Sequence, residues 1–380
     1  MEYVQERVAT LHDYGDATPP APTDRAAVVV PMTDREHAGL AAERVLSTLS
    51  RLDPAEVIVA LRAGPDRVGE VARWIESHVD ATVLWCNAPG VDERLREAGL
   101  AAPAEGATAG ESGNAEGTRE RAGGKGRDVW LALGVAARHP YVAVHDADAT
   151  TYGPRHVPRL LFPLAQGFAF SKGYYARVEN GRLYGRLFRL FVRPLLRVLE
   201  DAHDHPLVDY LLAFRYALAG EFAVTADLAR SLRAQPGWGL EIGTLGEAYD
   251  AAGFAGSAQV DLGTHEHDHR AVGGPSGLGD MCAEVSAALF RALADHGIEP
   301  DFETLGERYR AAAADAIEGY AADAVFNGLA YDRAAEREQV EAYADAVAPP
   351  GPDRRLPAWE DAPLSPDEVE ARSRAALSER

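Results

Sequence analysis

The stretch RAAVVVPMTDRE, residues 25–36, decides the fold class of this chain. Its first half is a short apolar run rich in valine, the pattern of a buried β-strand, and it turns polar after Pro31. Residues 36–52 then show helical spacing, and the same strand-then-helix order recurs over residues 56–78 before a third strand begins at residue 80. Short apolar strands that alternate with amphipathic helices predict an α/β, Rossmann-like fold with a mostly parallel sheet flanked by helices.

In such sheets ligands bind outside the carboxyl ends of the strands, so the residues that follow each strand are the first candidates for a site. The fourth predicted strand, YVAVHDADAT at residues 141–150, ends in Asp146 and Asp148. On an extended chain residues i and i+2 point the same way, and two carboxylates on one side repel unless a cation or a hydrogen bond compensates them. A divalent ion with oxygen ligands fits this pair, and a strand that dissolves into an acidic surface is the alternative.

The strand-and-helix rhythm changes after residue 150, where a hairpin signal at Asn180-Gly181 is followed by further strands and helices. Residues 101–126 are rich in glycine and small polar residues, which indicates a mobile loop or insertion, or a lid over a ligand. We predict four parts: a leader over residues 1–24, a catalytic domain over 25–270, a helical region over 271–345, and a linker and tail over 346–380.

The composition narrows the function classes. The formal net charge of -21 argues against a broad nucleic-acid-binding face and against anionic membrane surfaces. No apolar run approaches the roughly 18 residues of a spanning helix, and the first residues lack the apolar core of a signal peptide, so we expect a cytoplasmic protein. Two cysteines are too few for a disulfide framework. The acidic, lysine-poor composition fits a surface adapted to salt, or codon usage in a GC-rich genome.

Only two of the 38 basic residues are lysine, Lys125 and Lys172, and both lie in the central part of the chain. Lys125 stands in GGKGR just before a predicted helix, where an ammonium group and helix N–H groups together suit a phosphate. The spacing of a P-loop is absent. Contact with a phosphate is one interpretation of this segment, and chance survival of two lysines is the other.

Three histidines alternate in THEHDHR, at positions 265, 267 and 269. On an extended segment they could share one face, and imidazole is a common metal ligand. One interpretation is a zinc hydrolase, although the spacing misses the HxHxDH pattern of metallo-β-lactamase-like enzymes by one residue. A second is a solvated strand end. In a third, this segment and Asp148 each supply a ligand to one Mg²⁺ or Mn²⁺.

Taken together, these segments resemble the retaining glycosyltransferases of the GT-A fold, and more closely the glucosyl-3-phosphoglycerate synthase family. The resemblance extends over residues 25–270 and rests on several segments that occur in the family's order. The segments are PMTDRE (31–36), GKGRDVW (124–130), HDADAT (145–150), SKGYYAR (171–177), GRLFRLFVRPLL (185–196), LAGEFAV (218–224), WGLEIG (238–243) and VDLGTHEHDHR (260–270).

The resemblance implies a nucleotide-sugar donor, UDP-glucose or alternatively GDP-mannose, together with Mg²⁺ or Mn²⁺ and a small anionic acceptor such as 3-phosphoglycerate. The product would be a compatible-solute precursor, formed with retention of the anomeric configuration by a homodimer. The implied donor-binding residues are Pro31, Met32, Thr33, Asp34, Glu36, Lys125, Asp146 and Lys172. The implied metal ligands are Asp148 and His267, the implied acceptor-binding residues are Arg186, His269 and Arg270, and the implied catalytic residues are Asp148, Glu241 and Arg186.

Three departures from the family's pattern border the expected ligands. Phe188 stands where the family has threonine, His269 stands where it has asparagine, and ALRAGP follows the second strand in place of a DSGS-like sequence. They leave the donor base and the acceptor open. The competing functions are a metallohydrolase that uses the histidine cluster and a non-catalytic module that binds nucleotide-sugars.

Overall fold

An eight-stranded sheet lies at the centre of the computed structural model, which describes residues 5–100, 124–268 and 275–380. The strands are ordered β1-β10-β6-β9-β5-β2-β3-β4, and β9 runs antiparallel to both of its neighbours while the other pairs are parallel. A separate hairpin joins β7 and β8. In chain order the strands are β1 (Ala9–Leu11), β2 (Ala26–Thr33), β3 (Glu56–Arg62), β4 (Thr82–Trp85), β5 (Tyr141–Val144), β6 (Phe170–Ala176), β7 (Val178–Glu179), β8 (Arg182–Leu183), β9 (Phe222–Thr225) and β10 (Ser257–Thr264).

Helices flank the sheet, and the carboxy-terminal part of the chain is helical. A six-residue π-helical stretch, Leu187–Val192, precedes α6, and short 3₁₀ turns occur at Thr23–Arg25 and Trp359–Asp361. In the described residues the α-helices are α1 (Leu40–Leu52), α2 (Val68–Glu76), α3 (Pro89–Glu97), α4 (Lys125–Ala136), α5 (His156–Ala165), α6 (Arg193–Ala202), α7 (Pro206–Ala213), α8 (Ala226–Ser231), α9 (Leu240–Ala252), α10 (Pro275–Asp295), α11 (Phe302–Phe326), α12 (Arg333–Ala344) and α13 (Pro366–Ser378). None of them is long and apolar enough to cross a membrane.

The central strands explain why the first valine-rich stretch predicted the fold correctly. Residues 26–30 of β2 are fully buried, because helices pack against both faces of a parallel sheet and neither face of an inner strand is exposed to water. Val29 lies opposite Ile58 of β3 and Val144 of β5, so these three strands end at the same edge. The predicted α/β fold with a helical carboxy-terminal region is confirmed.

The predicted leader over residues 1–24 is wrong for its middle part. Ala9–Leu11 forms β1 and pairs in parallel with β10 at the edge of the sheet, where Ala9 lies opposite Ala258. The Nε2 of Gln259 donates to the buried Oγ1 of Thr10 at 2.9 Å. A three-residue strand has too little periodicity to stand out from a Pro-rich neighbourhood, so only its partner strand reveals it.

The predicted linker and tail over residues 346–380 also need correction, because much of this segment belongs to the core. The ring of Trp359 stacks on Trp130 of α4 with centroids 4.1 Å apart, and the Nε1 of each indole donates to a carbonyl oxygen of the other's segment. A Cβ at Gly134 would overlap the Trp359 ring, so α4 needs glycine there. Farther along, Ser373 Oγ accepts the backbone N–H of Trp85 at 2.7 Å.

Replacing Trp359 with alanine should therefore lower the free energy of unfolding by about 3–5 kcal/mol, the usual loss for a large aromatic residue in a core. The measurement is denaturant unfolding of the full chain. Phe326→Ala is the matched control, since that ring is 88% exposed and its removal should change stability by less than about 0.5 kcal/mol. Equal stability of Trp359→Ala and wild type would show that the carboxy-terminal segment is a tail after all.

Candidate active site

The loop after β5 and the segment after β10 meet at the carboxyl edge of the sheet. A short antiparallel bridge joins Ala149 to His267. The N–H of Thr150 donates to the carbonyl of Glu266 at 2.8 Å, and the N–H of Asp268 donates to the carbonyl of Asp148 at 2.8 Å. Backbone hydrogen bonds, and not side-chain charge alone, therefore hold the DAD sequence against the histidine segment.

This contact places Asp146, Asp148 and His267 together, with one potential ligand atom of each within 4.8 Å of the others. Asp148 Oδ1 and His267 Nδ1 are buried and have no hydrogen-bond partner among the described residues. Burial raises the pKa of Asp148 above its ordinary value; His267 opposes this shift and the negative charge of Asp146 adds to it. Two carboxylates and one imidazole with orphaned atoms fit a Mg²⁺ or Mn²⁺ ion.

Lys125 lies beside this group and bridges two carboxylates. Its Nζ is 2.7 Å from Asp146 Oδ1 and 3.0 Å from Glu241 Oε1. Burial by itself would lower the pKa of Lys125, but Asp146 and Glu241 outweigh it, so the pKa lies above its ordinary value. Burial raises and Lys125 lowers the pKa of Asp146, and the net shift is downward. Both Lys125 and Asp146 are therefore charged at neutral pH.

The glycines around Lys125 allow two helix starts to approach. Lys125 is the first residue of α4, and Glu241 lies in the first turn of α9. A Cβ at Gly126 would overlap the carbonyl oxygen of Gln235, and the N–H of Gly124 donates to the carbonyl of Pro236 at 3.1 Å. The GGKG sequence that suggested a phosphate loop thus has a packing reason as well.

Gly220, which precedes β9, makes room for the Asp146 carboxylate. A Cβ at this position would overlap Asp146 Oδ2. Gly220→Ala should displace Asp146 and lower the turnover expected from the family resemblance by about 10²-fold, the scale of a misplacement of about 1 Å in an active site. The measurement is steady-state kinetics beside Gly319→Ala, where nothing lies within 4 Å of the added carbon. Wild-type turnover in Gly220→Ala would contradict the placement of Asp146 in the site.

In the predicted donor-binding loop at the end of β2, internal hydrogen bonds join Thr33 to Glu36. Glu36 Oε2 accepts from the N–H of Thr33 at 2.6 Å and from its Oγ1 at 2.7 Å, and burial raises the pKa of Glu36. The N–H of Gly64 donates to Asp34 Oδ2 at 3.4 Å. The side chain of Met32 is buried in the core and not in the cleft. A cleft adjoins the loop and is lined in part by Arg35, Glu36, Gly39, Ala147, Asp148 and Asp268.

Lys172 does not line this cleft, and its role in donor binding stays a prediction. It is fully buried in β6, and its Nζ donates to the carbonyl of Ala219 at 2.6 Å. Burial lowers the pKa of Lys172 to about 8. Its structural role is to hold the backbone next to Gly220, which in turn borders Asp146.

The rings of His265 and His267 lie with centroids 4.3 Å apart, but the two side chains have different surroundings. His265 is buried and stacks on Tyr175 with ring centroids 4.1 Å apart, while His267 joins the two aspartates. Burial, and then the neighbouring His267, lower the pKa of His265 well below its ordinary value. Among the described residues, His265 is therefore not part of the group of potential metal ligands, as a three-histidine zinc site would require. His269 and Arg270 lie outside the described residues.

Sequence reasoning missed two carboxylates near this group. Glu221 is buried in the segment before β9, and its Oε1 lies 3.9 Å from His265 Nε2. Glu179 in β7 accepts the backbone N–H of His267 at 3.3 Å and lies 3.9 Å from the His267 ring. An acidic residue inside an otherwise apolar segment, as in LAGEFAV, could have indicated Glu221 as a candidate. No sequence pattern indicates Glu179.

Arg186, expected at the acceptor, lies at the end of the β7–β8 hairpin segment, and its Nε donates to Glu336 Oε1 at 2.8 Å. Glu241 lies next to the other candidates, since Lys125 joins it to Asp146. The structure therefore brings together Lys125, Asp146, Asp148, Glu241 and His267, which come from four separate stretches of the chain.

Comparison with known proteins finds relatives that span most of the chain. No protein-family model matches the chain. Glucosyl-3-phosphoglycerate synthase of Methanococcoides burtonii is 32% identical over 388 residues, which cover 93% of this chain and 90% of that protein. The enzyme of the same name from Persephonella marina is 43% identical over 59% of each chain. The crystal structure of Mycobacterium tuberculosis glucosyl-3-phosphoglycerate synthase in complex with Mn²⁺, UDP-glucose and phosphoglyceric acid superposes with a TM-score of 0.55 at 27% identity, covering 77% of this chain and 89% of that one.

The fold is that of a glycosyltransferase with the GT-A fold. Within that class, the chain belongs to the glucosyl-3-phosphoglycerate synthase family. The resemblance seen in the sequence is thereby confirmed.

Proposed function

We propose that this protein transfers glucose from UDP-glucose to 3-phosphoglycerate with the help of Mg²⁺ or Mn²⁺ and retains the anomeric configuration. The observation that carries the proposal is the group Asp146, Asp148 and His267, set beside the Lys125–Glu241 pair. The names of the relatives and the ligands of the Mycobacterium tuberculosis structures support the choice of donor, acceptor and ion.

Asp148 and His267, with Asp146 close by, would hold the divalent ion, since their buried atoms lack other partners among the described residues. When bound, such an ion neutralises the developing charge on the diphosphate leaving group. Lys125 supplies a permanent positive charge at the same place, and Asp146 orients Lys125 through its 2.7 Å contact. Pro31, Thr33, Asp34 and Glu36 would border the nucleoside.

Glu241 is the carboxylate we place next to the reacting sugar. Its Oε1 is 3.0 Å from Lys125 Nζ, so the ammonium group fixes its direction and lowers its strength as a nucleophile. We therefore expect Glu241 to orient donor sugar and acceptor hydroxyl, and the acceptor to attack from the face that the diphosphate leaves. Arg186, His269 and Arg270 would bind the anionic acceptor, because a guanidinium fork matches phosphate or carboxylate.

The test is release of nucleoside diphosphate with Mg²⁺ or Mn²⁺, using UDP-glucose or GDP-mannose as donor and 3-phosphoglycerate among the acceptors, with product configuration read by NMR. Transfer only from UDP-glucose, only to 3-phosphoglycerate and only before chelation is expected. Zinc-dependent phosphoester hydrolysis without transfer would favour the metallohydrolase. Thermal stabilisation by UDP-glucose without turnover would favour a non-catalytic module.

The other expectations drawn from the sequence stay predictions. They are a cytoplasmic location, a homodimer, a salt-adapted surface and a role of the product as a compatible-solute precursor. The predicted lid over residues 101–126 falls outside the described residues except for its last three positions, which form the start of α4 and the residue before it.

A further inference from the structure

A buried ion network joins the carboxy-terminal helices to the arginine expected at the acceptor site. Glu336 of α12 is 3% exposed. Its Oε1 accepts from Arg186 Nε at 2.8 Å, and its Oε2 accepts from both terminal nitrogens of Arg189 at 3.3 Å. One carboxylate thus pairs with two guanidinium groups, which leaves the network with a net positive charge.

Arg189 is the fixed end of this network. Its Nε donates to the carbonyl oxygen of Tyr184 at 2.9 Å, and its guanidinium carbon lies 4.7 Å from the ring centroid of Tyr320. The hydroxyl of Tyr331 adds a contact of 3.4 Å to Glu336 Oε2. Because its Oε2 side is held in this way, Glu336 presents Oε1 to Arg186 in a defined direction.

Arg186 is the accessible end, with a side chain that is 41% exposed. Within the described ranges its polar side-chain contact uses Nε alone, which leaves the N–H groups of both terminal nitrogens for another partner. A guanidinium held at Nε presents its terminal nitrogens as a fork that matches a phosphate or a carboxylate.

The segment that carries Arg186 also contacts the supports of His267. Gly185 has a φ of +74°, and a Cβ there would lie 3.3 Å from the hydroxyl of Tyr216 and 3.7 Å from Arg177 Cδ. Arg177 in turn lies 3.5 Å from Glu179, which accepts the backbone N–H of His267. These contacts connect the segment that carries Arg186 with the residues that support His267 in the proposed metal site.

We infer that Glu336 is a positioning residue of the acceptor subsite: it holds Arg186 through Nε and directs the free nitrogens at the phosphate or carboxylate of the acceptor. The inference rests on the proposed function, in which Arg186 binds the acceptor. An arginine that is held before binding loses less rotamer freedom when the anion arrives, so removal of its anchor weakens acceptor binding. Charge alone predicts the opposite, because loss of a carboxylate makes the site more positive.

The test is isothermal titration of the full-length protein with 3-phosphoglycerate in the presence of UDP and Mn²⁺, together with steady-state kinetics. Glu336→Gln should weaken acceptor binding and raise the acceptor KM about fivefold, the scale of losing the charge on one hydrogen bond, while the donor KM stays unchanged. In an Arg186→Ala background the same substitution should add less than about twofold, because the two residues act through one contact.

Glu341→Gln is the control on the same helix, since Glu341 pairs with Arg310 at 2.8 Å on the exposed surface and should not affect the acceptor. Glu336→Asp keeps the charge but withdraws the carboxylate from Arg186, so it should also weaken acceptor binding. This second variant tests the inference if Glu336→Gln does not fold. Unchanged or tighter binding in the Glu336 variants, a full effect in the Arg186→Ala background, or no binding by wild type would overturn the inference. Binding without transfer by wild type would overturn only the proposed function.

Discussion

Replacing Asp148 with asparagine is expected to abolish glucosyl transfer and to leave the protein folded. The amide is a poor ligand for Mg²⁺ or Mn²⁺, and the charge stabilisation that such an ion supplies is worth several kcal/mol, so turnover should fall by about 10³-fold or more. Stability should be equal or higher in the metal-free protein. The reason is that Asp148 Oδ1 is buried and lacks a partner among the described residues, and a buried unpaired charge opposes folding.

Three measurements separate these effects: turnover at saturating Mn²⁺, Mn²⁺ affinity by calorimetry, and denaturant unfolding after chelation. Asp227→Asn is the control, because that side chain is 97% exposed and pairs with Arg230 one turn away in α8 at 3.0 Å. It should match wild type in all three. Wild-type Mn²⁺ affinity in Asp148→Asn would remove Asp148 from the metal site even if turnover fell.

Lys125→Met should both destabilise the protein and remove most of its activity. The substitution leaves the carboxylates of Asp146 and Glu241 facing each other without their shared cation. Removing one partner of a largely buried ion pair lowers the free energy of unfolding by about 3 kcal/mol. Turnover should fall by about 10²-fold or more, because Lys125 is the permanent positive charge beside the leaving group.

The effect of Lys125→Met on the free energy of unfolding should depend on pH in a defined direction. In wild type the pKa of Asp146 is lowered, so the pairing with Lys125 stabilises the fold above the unfolded pKa of Asp146 and is lost as pH falls through the folded pKa. In Lys125→Met the two carboxylates repel, and protonation relieves the repulsion. The stability difference between the two proteins should therefore shrink as the pH falls toward and below 3.8, the ordinary pKa of an aspartate.

Arg310→Met is the matched control, since it breaks an exposed pair with Glu341 and should lower stability by less than about 1 kcal/mol without changing turnover. A stability difference between Lys125→Met and wild type that stays constant or grows toward low pH would contradict the proposed bridge between Asp146 and Glu241.

Much of the fold and part of the site could be predicted because they depend on neighbours in the sequence. A run such as VVV can only form a buried strand here, and its polar end marks the sheet edge. Asp146 and Asp148 could be assigned to that edge for the same reason. Their partner His267 is 119 residues farther along than Asp148; the alternating histidines made its segment one candidate among several interpretations, and the resemblance to a family singled out His267.

The scarcity of lysine drew attention to Lys125 and Lys172 but did not predict what each side chain contacts. Lys125 is the charged centre of the site, bridging Asp146 and Glu241, as its place before a helix suggested. Lys172 is equally rare and lies in a matching segment, yet it is buried and bonds to the carbonyl of Ala219. No local pattern distinguishes the two, because burial depends on what the rest of the chain packs around each strand.

The sequence by itself determined the order of strands and helices, the acidic pair at the end of β5, the lysine at the start of α4 and the family, because these depend on short-range periodicity and on motifs read in order. Only the tertiary structure decided that residues 9–11 and Trp359 belong to the core and that Glu336 holds Arg186. The last two contacts join residues 229 and 150 positions apart, the first joins β1 to β10, and packing, not periodicity, selects such partners.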